Sequence, residues 1–353
     1  MTLLEQLLAI ARNTFVESVR QPIVLVVAGI ATLLIVLSNP LAAFTLEDDQ
    51  RMFVDIGLST IFIALAVVAS FIATNVISRE IENRTVLTVV SKPVSRPVFV
   101  LGKYLGVASA ILLVMLYLSF VFMLVEMHGV LKTVRTPIHQ PVIVFGSLAA
   151  IGGVGAATWM NYFYGKSFAS SALGITTPLM GIAYAVAMLF GPEWTANSFE
   201  TIARGTGGER AVFEASIWTA IFMLSIGVLM LAAVAVAAST RLGQVLTLSI
   251  TLGVLILGLL SDWMFARRLR DLEALASSTS GSLLSAGGKL ELFALKAGYA
   301  VVPNFQVFWL ADAINQDRPI PFLYVARTAP YGLVMIAAAL CIAVALFQRR
   351  EVG

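Results

Sequence analysis

Few side chains in this sequence could do covalent or metal chemistry, and their spacing argues against it. The two histidines, His128 and His139, leave little for imidazole-based acid–base or metal sites. The single cysteine, Cys341, allows neither an internal disulfide framework nor a cysteine cluster for a metal. No His-Glu-x-x-His pair and no Gly-x-Ser-x-Gly nucleophile turn occurs. Gly165-Lys166-Ser167 has the tail of a phosphate-binding loop, but Met160 stands where the leading glycine belongs. No catalytic, cofactor-binding or metal-ligating residue is therefore expected in the chain.

The charges that could do work lie together in one short segment. It reads Ser78-Arg79-Glu80-Ile81-Glu82-Asn83-Arg84-Thr85, then Val86-Leu87-Thr88-Val89-Val90, then Ser91-Lys92-Pro93-Val94-Ser95-Arg96-Pro97 and Gly102-Lys103. The first part can form a short helix with charged and apolar positions interleaved. Pro93 and Pro97 are expected to force a rigid, non-helical turn after it. Such a loop suits docking into another protein's groove. It equally suits contact with anionic headgroups, although Glu80 and Glu82 make it less basic than that use prefers.

The rest of the chain must position this segment, and its composition says in what medium. Of 353 residues, 59% are apolar and 12% charged, with a mean hydropathy of +0.92. Soluble domains carry about 25% charged residues, and no single core of this size hides so much apolar sequence. The expected fold class is all-α: a polytopic membrane helical bundle forming one transmembrane domain over 1–353. A formal charge of +3, dispersed along the chain, does not suggest nucleic acid.

Eight apolar runs are long enough to cross ~30 Å of hydrocarbon: 22–41, 54–78, 103–127, 143–163, 171–190, 214–239, 245–262 and 328–347. The pair 143–190 could instead form a re-entrant hairpin, leaving six full spans. No cleavable signal pattern leads the chain; residues 1–21 read as an interfacial helix. Leu3, Leu4, Leu7, Leu8, Ala11, Phe15 and Val19 fall at helical spacing, and Gln21-Pro22 breaks the helix before the first span. Lys and Arg in the short loops orient the bundle. With both termini cytoplasmic, Arg12, Arg20, Arg79, Arg84, Lys92, Arg96, Lys103, Lys166, Arg241, Arg349 and Arg350 lie inside. Arg51, Lys132, Arg135, Arg204 and Arg210 lie in short outer loops, and the cluster Arg267, Arg268 and Arg270 argues the other way.

Ion-coupled carriers usually keep an ionisable group near mid-membrane. Here Asp55, Lys103, Glu126, Glu214, Asp262 and Arg327 all read as span-end residues, which weakens ion coupling. The stretch Gly152, Gly153, Gly155, Ala156 and Ala157 permits close helix approach, with plain tight packing preferred over a sliding surface.

The 78–103 segment resembles the stretch between the second and third helices of type-2 ABC exporter permeases. Glu80, Thr85, Leu87, Lys92, Pro93, Ser95, Arg96, Gly102 and Lys103 follow that family's order: an acidic residue, Thr and a short apolar run, a Lys-Pro-x-Ser-Arg turn, then Gly-Lys opening the third span. Leu346-Phe347-Gln348-Arg349-Arg350-Glu351-Val352-Gly353 resembles the family's tail, and Ser239-Thr240-Arg241-Leu242-Gly243-Gln244 its tight cytoplasmic turn. The extra pair 143–190 resembles an elaboration of multicopper-enzyme-maturation-type permeases. The resemblance implies an ABC permease subunit in a bacterial inner membrane, paired with a second permease copy or paralogue. A separate ABC ATPase subunit would bind ATP and Mg and dock at a coupling loop, 79–103, through Arg79, Glu80, Glu82, Arg84, Thr85, Lys92 and Arg96. The 1–21 helix would be the elbow.

The segment 263–327 reads as an extracytoplasmic helical region, with an amphipathic helix at 263–276, a Ser/Gly-rich stretch at 277–288 and a second helix at 289–300. Val302-Pro303-Asn304 then reads as the start of an aromatic-rich helix. Phe305, Phe308 and Trp309 are candidates for a lid over an exit, or for interfacial anchors of the loop, the preferred reading. An apolar lining suits a lipid-like or amphipathic cargo. The alternatives are an ABC permease-like device that transmits force to a periplasmic partner, and an ion-coupled carrier.

Overall fold

The computed structural model describes residues 2–43, 49–82, 95–130, 138–205, 212–277, 286–316 and 318–348, with the backbone alone at 77–82, 276, 277 and 286. The described residues are almost entirely helical. Among them, eight helices are long and apolar enough to cross a membrane, so the all-α polytopic bundle stands.

Helix α1 (Leu3–Val19) opens on a capping box: the Thr2 side chain accepts from Glu5 N while the Glu5 carboxylate accepts from Thr2 N. It ends at Arg20, and Pro22 starts α2 (Pro22–Ala42) in the first helical turn, where a missing N–H costs nothing. The expected break at Gln21-Pro22 is therefore present. Helices α3 (Asp49–Glu82) and α4 (Arg96–His128) follow, then α5 (Gln140–Tyr164), α6 (Phe168–Ala187) and the short α7 (Phe199–Arg204). Next come α8 (Ala215–Ser239) and α9 (Gln244–Ser261), which runs through a π turn at Asp262–Ala266 into α10 (Arg267–Ser277). Helices α11 (Ala286–Val301), α12 (Ala311–Asn315) and α13 (Phe322–Gln348) complete the fold.

Polar contacts sort the helix termini into two ends. At the near end, where α1 lies, Asn75 Nδ2 donates to Gln21 Oε1, Arg96 donates to the Gln348 carbonyl, and Arg241 Nε donates to the Leu346 carbonyl. At the far end, Asn39 Nδ2 donates to Gly129 O, Gln50 Nε2 to Glu126 Oε1, and Asn315 Nδ2 to Asp55 Oδ1. Successive spans thus alternate in direction.

Helices α3, α4 and α8 form the core, where Ile61, Leu65, Ile72, Ile111, Leu118, Ala232 and Val236 are fully enclosed. Helix α5 is the least enclosed span, and Leu148, Ile151, Trp159 and Tyr162 on it are exposed. Its 25 residues and the 20 of α6 are both enough to cross. The two pack closely where Gly153 meets Thr176, so a methyl there would collide with the Thr176 side chain. Gly152 and Gly155 face open space. The loop after α6 folds back onto the start of α5: Gln140 N donates to Pro192 O, and Trp194 Nε1 to Gln140 Oε1.

Three sequence expectations change. The third span begins at Arg96, not near 103, because Pro97 sits in the first turn of α4, where helices tolerate it, instead of holding a non-helical turn open. The seventh span and the following amphipathic helix are one continuous rod through the π turn. Residues 302–310 do not form an aromatic-rich helix. They hold one 3₁₀ turn at Gln306–Phe308, with Phe308 N and Trp309 N bonded inside the segment, while Phe305 N is taken by the Gly258 carbonyl on α9.

Candidate functional site

Two places carry the residues singled out by sequence. The first is the near end. Helix α3 has 34 residues, about 50 Å at ~1.5 Å per residue, against ~30 Å of hydrocarbon. Its last described turn, holding Arg79, Glu80 and Glu82, continues the span without a break at the end where α1 lies. Arg84, Thr85, Lys92 and Pro93 lie outside the described residues. Arg96 opens α4 and donates to the Gln348 carbonyl at the C-terminus of α13. A guanidinium there meets the negative end of the helix dipole and one of its orphan carbonyls. Arg96 is thus already engaged within the chain.

The elbow is seated on α4 by two glycines that sequence reading did not single out as a pair. A methyl at Gly102 would strike Ile10, and one at Gly106 would strike Thr14 and the Ala11 carbonyl. The signal was present, since Gly102 and Gly106 have the four-residue spacing that lets two helices touch backbone to backbone. Between them Lys103 is nearly fully buried. Its Nζ lies 3.9 Å from Glu17 Oε2 and 5.6 Å from the centre of the Phe99 ring. Lys103 therefore joins the elbow to α4, with its charge kept by a carboxylate and a ring face. Thr14 and Ser18 are buried against the bundle, while Leu3, Leu4 and Leu8 are exposed, as suits a helix whose outer side rests in lipid.

The second place is the far end, where 302–310 enters the bundle. Phe305 and Phe308 are each 1% exposed and Trp309 is half-buried. The Phe305 ring fills the space over Gly258 on α9 and lies 6.1 Å from the Phe62 ring. The Phe308 ring lies against Gly227 on α8 and Gly332 on α13 and stacks on Tyr331 at 6.2 Å. These two rings are a plug inside the bundle, not headgroup-level anchors at its rim.

The backbone of the plug is held by the rod beneath it. Phe305 N donates to Gly258 O, and Gln306 Nε2 donates to Leu259 O. Both carbonyls lie just before the π turn, where the helical ladder changes register and frees acceptors. Asn304 is the hub. Its N–H donates to Tyr331 OH and its Nδ2 to Tyr299 OH, and its Oδ1 accepts from Gln306 N. Asn304 and Gln306 were not singled out by sequence. Sequence alone takes Pro303-Asn304 as a helix start, and only the fold shows what Asn304 bonds to.

Among the described residues, no group of three or more His, Cys, Asp or Glu side chains comes together as a metal site. The arrangement offers packing surfaces, a buried plug and an apolar cavity.

Residues 8–158, from the elbow through most of α5, match the family model described as ABC-2 family transporter protein. This match supports an ABC-2 type permease. No curated protein matches the chain.

Proposed function

With an ABC-2 transporter domain over 8–158 as the premise, we propose that this chain is the membrane permease of an ATP-driven exporter whose ATPase subunit docks at the near end. The observation that carries the reading is the convergence there of the elbow, the overrunning end of α3 and the start of α4, all within the matched range. A rigid helix continuous with a core span transmits a push at its tip to the bundle without loss in a joint. Arg79, Glu80 and Glu82 on that tip, with Arg84, Thr85 and Lys92, form the docking segment. ATP and Mg belong to the partner; this chain binds neither. The near end and both termini face the cytoplasm of a bacterial-type inner membrane, an orientation that the basic residues of the short loops support. A second permease copy or paralogue completes the path, and the cargo is lipid-like or amphipathic, in keeping with apolar walls.

The test is purification in mild detergent followed by mass spectrometry. A soluble ATPase should come with the protein in stoichiometric amount, and Glu80→Lys should remove it while leaving the elution volume unchanged. Unchanged co-purification of the variant overturns the docking segment. Absence of any ATPase overturns the exporter.

A second reading is favoured by one feature of the far end. Helices α10 and α11 form a hairpin stitched by Arg268–Glu291 and Lys296–Glu273, each at 2.8 Å, and α11 exposes Leu290, Phe293 and Val301. Such a hairpin could pass force to a periplasmic protein. ATPase activity that responds to a periplasmic protein and never to a cargo in liposomes would replace export with force transmission.

A further inference from the structure

A cavity of about 380 Å³ opens between α2, α4, α5 and α6, on the side of the bundle away from the plug. Its walls are mostly apolar, with an amide and an imidazole at one end and two hydroxyls, on Thr32 and Ser147, farther in. Asn39 and His128 lie at the far end, while Thr32, Gly146, Ala150 and Met180 lie deeper. From Asn39 down to Thr32 on α2 is roughly 10 Å at ~1.5 Å per residue, so the cavity stays within one leaflet of a ~30 Å core. The exposed side chains Val36 and Ile143 flank its mouth, which faces sideways between α2 and α5. The amide and imidazole at the membrane surface, over mostly apolar walls in which the Thr32 hydroxyl donates to its own helix, match an amphiphile standing in that leaflet.

Hydrogen bonding at the polar end narrows the headgroup. Gly129 closes α4 with φ 72°, a left-handed conformation that suits glycine, and this turns its carbonyl toward both polar side chains. Asn39 Nδ2 donates to that carbonyl at 2.9 Å, which leaves Oδ1 as an acceptor and the second amide hydrogen as a donor. His128 Nδ1 lies 3.0 Å from the same carbonyl. A carbonyl only accepts, so Nδ1 carries the proton, and in neutral imidazole Nε2 is then an acceptor. The polar end therefore offers two acceptors beside one amide donor, and calls for a headgroup that donates as well as accepts, as hydroxyls do.

The geometry points to a binding site for a single acyl chain whose headgroup bears hydroxyl donors, a monoacylglycerol or a similarly hydroxylated amphiphile, entered sideways from the leaflet at the far end. Its volume is near the lower bound of small-molecule pockets, ~300 Å³, which suits one chain and not two. The site lies at the opposite end from the proposed ATPase face and stands whether or not the chain partners an ATPase.

Photoreactive monoacylglycerol, carrying its diazirine in the chain, tests this on the full protein in nanodiscs. Adducts should concentrate in peptides spanning 32–40, 121–128 and 142–150 and should be displaced by excess unlabelled monoacylglycerol. A photoreactive fatty acid at pH 8, whose carboxylate donates nothing, should label these peptides about fivefold less, the weight of one hydrogen bond. Gly146→Leu fills the cavity: a Cβ there meets only Leu124 Cδ1, at an ordinary 3.9 Å, so the chain grows into the void. That variant should lose the displaceable adducts. Asn39→Leu should keep chain labelling and lose the headgroup preference. Labelling of the wild type that excess ligand does not displace, or that spreads evenly over exposed helices such as α5 and α13, overturns the site. Equal displaceable labelling by the fatty acid overturns the headgroup assignment.

Discussion

The elbow and the plug are both segments that span nothing, seated at opposite ends of one bundle, and both rest on glycines. The manner of seating differs. Helix α1 lies backbone to backbone on α4, with Gly102 and Gly106 against Ile10, Ala11 and Thr14, and Lys103 clamped beneath it. Residues 302–310 instead insert two rings into holes left by Gly258, Gly227 and Gly332. A helix seated along its length moves only as a body. Rings in holes depend on each ring singly, so the plug can be undone one residue at a time.

The sharpest way to break this comparison is Phe308→Ala. A vacated ring site that cannot collapse costs ~3–5 kcal/mol, and the loss should appear as a large fall in melting temperature with faster hydrogen exchange at 302–316. If exchange at 3–19 rises equally, the two ends are one cooperative unit and the contrast fails. Gly106→Leu should cost less, ~1–3 kcal/mol by overpacking, since α1 can lift as a whole. Its signature is exchange rising throughout 3–19 with 302–316 unchanged.

Glu17→Gln should cost no more than ~1 kcal/mol, because that carboxylate is 43% exposed and its attraction for Lys103 is screened. A melting temperature well below that of Gly106→Leu would make the ion pair, and not the glycines, the main fastening of the elbow.

The smallest effect belongs to His139 at the far end, whose Nδ1 is buried with no hydrogen-bond partner among the described residues. Burial, and then the nearby His128, lower its pKa. The unfolded chain thus binds the proton more readily than the folded one. The stability that His139 contributes is complete above its ordinary value of ~6.5 and declines as pH falls through it toward the folded value. The wild type should lose more melting temperature than His139→Gln between pH 7.5 and 5.5, and equal losses would refute this.

What could be read from sequence follows the reach of the forces involved. The spans and the elbow announce themselves because runs such as Ile23–Leu37 are apolar whatever they later touch. The break at Gln21-Pro22 is local chemistry of the same kind. The start of α4 was misplaced because Pro97 is tolerated in a first helical turn, and nothing nearby says which side of the boundary it occupies. The plug was read as a helix because its partners, Gly258 and Tyr331, lie tens of residues away in sequence. Of the proposed docking segment, residue types and order are legible, and only α3 running unbroken to Glu82 shows how a push there would reach the core.

The two arginines at the near end have a consequence for the order of assembly. Arg96 and Gln348 are 252 positions apart, and Arg241 and Leu346 are 105 apart. A chain made from its N-terminus threads seven spans before α13 exists, so neither guanidinium can reach its carbonyl until α13 is in place. Contacts of such long sequence separation form late, after the loops between them have closed. The near end is thus fastened last, and its fastening marks that the whole bundle has arrived.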